Sequence, residues 1–137
     1  VDVYAAHKGV CDIAINYLQK INDKLEGTPF KVAYRTRNEV LLYVVNNLPY
    51  NKDEDGNELE QGLVIARALD EITNMKILSR IEGDETKVSA SFLGGLETTI
   101  KEGLESVNEG VFENSISLAK LSEMKKRLES GYTSFWS

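Results

Sequence analysis

Three cations, Lys31, Arg35 and Arg37, fall within seven residues of one another. A guanidinium offers a planar fork of N–H donors that fits phosphate or carboxylate, so the chemistry this spacing offers is anion recognition. The apolar spacing of Val40, Leu41, Val44, Val45 and Leu48 predicts a helix over Glu39–Leu48, which places the cations at its entrance. Cations there oppose the helix macrodipole by about 0.3–1 kcal/mol. The free N–H groups of the same turn, by contrast, favour a bound anion. Two readings follow: the cations pair with nearby acids such as Glu39, or the turn holds an anion.

A second constellation is the loop Asn51-Lys52-Asp53-Glu54-Asp55-Gly56-Asn57. Its first half has the oxygen ligands and glycine turn of a calcium loop. Its second half has Glu58 where an apolar residue belongs and Gly62 in place of the bidentate glutamate, so a solvated turn is the better reading. The remaining chemistry is sparse. His7 is the only histidine and Cys11 the only cysteine, which excludes a zinc site built from several His and Cys, and any disulfide within the chain. Glu58, Glu60, Asp70, Glu71, Glu97 and Glu102 form no acid–base pair and read as solvated helix faces. The phosphate-cradling G-x-x-x-x-G-K-[ST] and the nucleophile elbow G-x-S-x-G are both absent. No metal site and no catalytic residue is therefore expected. The last six residues hold Tyr132, Phe135 and Trp136, three aromatics that call for docking on a core or on a partner.

The elements that must carry these groups are helical. Val10, Ile13, Ala14, Tyr17, Leu18, Ile21 and Leu25 make one stripe, ended by Gly27-Thr28-Pro29. Phe30–Tyr34 is short enough to be extended, and Pro49 stops the second helix. A long helix is predicted over Glu60–Glu82, burying Ile65, Leu69, Ile72, Ile77, Leu78 and Ile81, with Gly83-Asp84 as its stop. Val88–Val107 carries Phe92, Leu96, Ile100 and Leu104, with Gly94-Gly95 as the place for a kink or break. Ser117 is a candidate cap for a last helix bearing Leu118, Leu121, Met124 and Leu128, ending at Gly131. The expected fold is all-α, about five helices in one compact domain over 1–137.

Composition agrees. The chain has 137 residues, 42% of them hydrophobic, and a formal net charge of −6. That suffices for one core and argues against a domain whose main task is to neutralise nucleic-acid phosphates. No apolar run approaches the roughly 20 residues of a membrane span and no signal-peptide pattern opens the sequence. The expected location is cytoplasmic, with no membrane partner. The first residue is Val1 rather than Met, so the chain reads as a piece of a longer one.

Several segments in order carry a resemblance. Tyr34-Arg35-Thr36-Arg37-Asn38-Glu39-Val40 is similar to a YR-x-x-[DN]-E-[IV] segment. Ala68-Leu69-Asp70 followed by Lys76-Ile77-Leu78-Ser79-Arg80-Ile81-Glu82-Gly83 resembles ALD…KILPRI-x-G, with Ser79 where proline is usual. Ser117-x-x-Lys120-Leu121-x-x-Met124-x-x-Arg127-Leu128 and Gly131-Tyr132-Thr133-Ser134-Phe135-Trp136 resemble the end of the same proteins. These are AAA+ NTPases of the McrB-like (modification-dependent restriction) family, and the matching region is their C-terminal helical lid.

The resemblance implies a P-loop core upstream in the same chain, ATP or GTP with magnesium bound by the full protein and no cofactor in this part alone. It also implies neighbouring subunits in a ring, a nuclease partner, and contact with DNA only indirectly. It gives Arg35, and after it Arg37, the role of an arginine that senses the nucleotide phosphate. Alone, the chain is not expected to be an enzyme. Two other functions are compatible with the residues. One is a free-standing helical module binding protein through a groove or the aromatic tail. The other is a helical DNA-binding domain using Lys31, Arg35, Arg37 and the Lys125-Lys126-Arg127 run.

Overall fold

The computed structural model describes residues 3–108 and 113–136. Val1 and Ser137, the ends of the expected domain, lie outside the described residues. The fold is all-α, with helices α1 (Val3–Ala6), α2 (Lys8–Leu25), α3 (Tyr34–Asn47), α4 (Gln61–Lys76), α5 (Ala90–Val107) and α6 (Ile116–Leu128). A 3-10 turn covers Leu78–Arg80, and two short strands, β1 (Glu82–Asp84) and β2 (Tyr132–Ser134), pair antiparallel.

The apolar periodicities build one core. Ala14, Tyr17, Leu18, Ile21 and Leu25 of α2 are buried against Val40, Leu41 and Val44 of α3 and Leu93, Leu96, Ile100 and Leu104 of α5. Helix α4 lies between α3, α5 and α6 and buries Ile65, Ala66, Ala68, Leu69 and Ile72. Leu121, Met124 and Leu128 close the core from α6. Each large aliphatic side chain so removed from water contributes about 1.5–3 kcal/mol before ordering entropy is set against it. Ile13, expected in the α2 stripe, is 37% exposed, whereas Cys11, one turn before Ala14, is buried.

Several features differ from expectation. Helix α3 begins at Tyr34, not Glu39, so Arg35 and Arg37 lie inside its first turn. Its N-cap is Ala33, which has no side chain to advertise the start. The predicted long helix ends at Lys76, and Ile77, Leu78 and Ile81 are buried instead by the 3-10 turn and the approach to β1. Gly83-Asp84 is therefore strand, not a helix stop. Helix α5 runs unbroken through Gly94-Gly95, and Ser89 caps it by accepting from Phe92 N at 3.0 Å. Helix α6 is capped by Ser115, not Ser117. Beyond it, Gly131 at φ 98° takes a left-handed conformation that turns the chain back. The tail then returns as β2 beside β1.

Candidate functional site

The first turn of α3 carries Arg35 and Arg37. No side chain caps its N–H groups and no acidic residue lies in the turn. Arg35 is exposed, and no hydrogen bond or ion pair holds its side chain among the described residues. Arg37 is half-buried with its guanidinium 5.2 Å from the centre of the Tyr34 ring, a cation–π contact that fixes the group without neutralising it.

A third arginine joins them from the 3-10 turn. Arg80 Nη2 donates to Thr36 Oγ1 at 3.1 Å, and Thr36 is buried at 2% exposure. The 3-10 turn thus brings the guanidinium of Arg80 to the turn that carries Arg35 and Arg37. Sequence spacing gave no sign of this, because the residues are 44 positions apart. Among the described residues, no carboxylate pairs with any of the three. In a chain of charge −6, cations left unpaired at the positive end of a helix favour an anion from outside.

The alternative pairing with Glu39 is not what the structure has. Glu39 pairs with Lys76 at 3.0 Å. Lys31 pairs with Glu26 at 2.6 Å, and both are well exposed, so that pair adds little. Behind the arginine turn, α1 and α3 bound an open groove of about 550 Å³ lined by Val3, Tyr4, Tyr34, Arg37, Asn38, Leu41 and Leu42. Tyr4 Oη donates to Asp12 Oδ1 at 2.8 Å, and this hydrogen bond holds the phenol above its ordinary pKa.

The other candidate groups have structural work. Asp70, read from sequence as a solvated carboxylate, is 4% exposed. It accepts from Ser115 Oγ at 2.6 Å, Ile116 N at 2.9 Å and Ser117 N at 3.1 Å, while its carbonyl accepts from Ser117 Oγ at 2.7 Å. Asp70 thereby caps α6 from across the core. Glu71 accepts from Tyr43 Oη, and Glu97 from Lys125 Nζ.

In the loop after α3, Asp53 turns its carboxylate onto its own backbone, accepting from Asp55 N at 2.9 Å and Asn57 N at 2.8 Å. No group of three or more His, Cys, Asp or Glu placed to hold a metal occurs among the described residues. His7 is exposed at the junction of α1 and α2.

At the tail, the three aromatics have different environments. Thr133 and Ser134 are buried, Phe135 is half-buried, and Tyr132 and Trp136 are exposed. Arg127 Nη1 donates to the carbonyls of Ser134 (2.8 Å) and Phe135 (3.3 Å), Lys120 Nζ lies 4.6 Å over the Phe135 ring, and Trp136 packs edge-on against it. Of the Lys125-Lys126-Arg127 run, Lys125 and Arg127 thus serve the fold, which weakens its use as a DNA-binding patch.

Architecture and site define an all-α domain with a basic turn at the start of one helix. The chain belongs to the family described as Domain of unknown function (DUF8727), whose model matches residues 2–132. No curated protein and no solved structure matches it. No helix among the described residues is long and apolar enough to cross a membrane.

Proposed function

We propose that this chain is the helical lid of an AAA+ NTPase of the McrB-like kind, cytoplasmic, working in a ring of subunits in a DNA restriction or related defence system. In that reading the P-loop core, the ATP or GTP with magnesium, and a nuclease partner belong to the rest of the assembly. The observation that carries the reading is Arg35: exposed, unpaired among the described residues, and on an uncapped first turn free of acids. These residues fit a phosphate, because the guanidinium and the turn's N–H groups are all donors. A bound nucleoside triphosphate would supply the anionic oxygens and, once hydrolysed, one phosphoryl group fewer.

The contribution of the chain is to orient donors. Arg80 and Tyr34 flank the turn and keep Thr36 and Arg37 in place. A charge-assisted hydrogen bond from Arg35 is worth about 1.5–3 kcal/mol. That biases a lid between open and closed by about ten- to a hundredfold, enough to couple phosphate state to subunit movement.

In the complete protein, Arg35→Ala is expected to lower NTP turnover about tenfold or more, whereas Arg127→Ala, whose side chain holds the tail, changes stability first. Equal and small effects on turnover from both would remove the sensor role. The isolated chain is expected to hydrolyse no NTP at a measurable rate. A second reading, a helical protein-interaction module, is favoured by the groove beside α3.

A further inference from the structure

The loop between α3 and α4 closes as a tight hairpin. Lys52 and Glu58 form an antiparallel bridge across it. Inside the bridge, Asp53 N donates to Asn57 O at 2.9 Å and Gly56 N to Asp53 O at 3.0 Å. Gly56 has φ 81°, a conformation that glycine takes without the strain a side chain would bring. Every residue from 52 to 58 is exposed. The loop also holds the one Asp-Gly pair of the sequence, Asp55-Gly56.

The aspartates differ in how their carboxylates are held. Asp12 accepts from Tyr4 Oη, Asp23 from Gln19 Nε2, and Asp53 from Asp55 N and Asn57 N. Asp70 accepts from the start of α6, and Asp84 from Thr86 N. Asp55 has no such partner: among the described residues nothing donates to its carboxylate and no cation pairs with it. The residue that follows differs too. It is glycine after Asp55, but isoleucine, lysine or glutamate after the other five.

We propose that Asp55 is a site of spontaneous isomerisation to isoaspartate, and that the carboxylate of Asp53 restrains its rate. The free side chain can turn toward the next peptide bond, where Gly56 sets no side chain in the way. The Gly56 nitrogen attacks Cγ of the protonated Asp55 carboxyl. An N–Cγ bond forms, a Cγ–O bond breaks, and the hydroxyl leaves with the amide proton as water. Water then adds to one of the carbonyls flanking the nitrogen in the cyclic succinimide. Opening at Cγ restores aspartate. Opening at the main-chain carbonyl leaves isoaspartate, whose backbone runs through Cβ and Cγ and whose new carboxylate sits on Cα. One water is released and one consumed, and no other reagent is needed.

The fold holds back the first step. Asp53 O engages the attacking nitrogen, and the Asp53 carboxylate clamps the N–H groups on either side of it, those of Asp55 and Asn57. The nitrogen reaches Cγ only when this turn opens, a local event that leaves the core folded. The proposal goes beyond the lid reading and needs neither nucleotide nor Arg35.

The test keeps the whole 137-residue chain warm at mildly acidic pH in heavy-oxygen water, then digests it in ordinary water for peptide mapping by mass spectrometry. Isoaspartate is counted by an isoaspartyl methyltransferase, which labels the new carboxylate from S-adenosylmethionine. Position 55 is expected to convert ahead of every other aspartate, and its product to carry one heavy oxygen. Asp55→Glu, whose longer side chain closes a larger and slower-forming ring, is expected to lose the signal. Asp53→Ala is expected to raise the rate at Asp55 severalfold, and Asp53→Asn, which keeps one acceptor oxygen, to raise it less. Circular dichroism checks that each variant keeps its helices. The inference is overturned if no isoaspartate forms at position 55, or no more than at Asp12, Asp23 or Asp84. It is also overturned if the product lacks heavy oxygen, or if Asp53→Ala converts at the parent rate. The readout is covalent and confined to this loop, so failure here leaves the turnover test of Arg35 untouched, and failure of Arg35 leaves this one standing.

Discussion

Asp70 joins two helices through one carboxylate. It accepts from a hydroxyl and two backbone N–H groups at the start of α6, up to 47 positions away in sequence. Those N–H groups are donors that every helix start leaves over, and a negative charge at that end also suits the dipole. Asp70→Ala leaves them buried or half-buried without an acceptor and is expected to destabilise the domain by about 3 kcal/mol. The measurement is a lower urea midpoint at unchanged slope. Asp70→Asn, which keeps one acceptor oxygen, is expected to lose less. A loss below about 0.5 kcal/mol for the alanine variant would put Asp70 among ordinary surface positions. The residue type was visible in the sequence, but its burial was not. A carboxylate on a helix reads as solvated until the element that needs it is placed beside it.

Between elements, Gly103 of α5 marks a close approach, because an added Cβ there would lie 2.8 Å from Cδ1 of Tyr17 on α2. Tyr17 is fully buried and cannot swing away. Gly103→Ala is therefore expected to cost about 1–3 kcal/mol through overpacking. Gly94 lies in the same helix with nothing within 4 Å of such a Cβ. Gly94→Ala is expected to stabilise by about 0.5–1 kcal/mol, the difference in helix propensity. A thermal melt of the two variants should move in opposite directions.

The same elements show what a sequence can disclose. Stripes such as Ala14-Tyr17-Leu18-Ile21-Leu25 locate helices because burial repeats every turn. The start of α3 left no such mark, since Ala33 cannot cap. Ile77, Leu78 and Ile81 suit a helix and a tight turn equally, because both bury them. The pairing of Glu82 with Ser134 had no local signal at all, as its partners are distant along the chain. For the candidate site, Arg35 and Arg37 were legible from spacing and helix physics, whereas Arg80 required the folded 3-10 turn.

At the scale of the whole molecule, the hydroxyl of Tyr17 ties the core to α4. Thr73 gives its own hydroxyl proton to the Leu69 carbonyl at 2.6 Å, so Tyr17 is the donor in the 2.8 Å bond between them. Burial pushes the Tyr17 phenol well above its ordinary value of 10.0. The sign follows from linkage: a group whose folded pKa is raised lends stability below the unfolded pKa and loses it as pH climbs toward the folded one. Stability is thus expected to fall as pH rises beyond about 10. Tyr17→Phe, which costs about 1 kcal/mol at neutral pH through the lost hydrogen bond, should flatten that alkaline limb. An equally steep limb in the variant would assign the loss to other groups.

The strap formed by β2 and the aromatic end has an optical consequence. Trp136 is the single tryptophan, and it is 77% exposed, resting edge-on against Phe135 at the outer surface. Its emission in the native protein is that of an indole already in water, so loss of the core barely changes its colour. Intensity responds instead to whether the strap still lies against Lys120 of α6. Fluorescence therefore reads the fraying of one terminal segment, and circular dichroism reads the helices. A gap between the two curves would measure local opening of the strap rather than an intermediate of the fold.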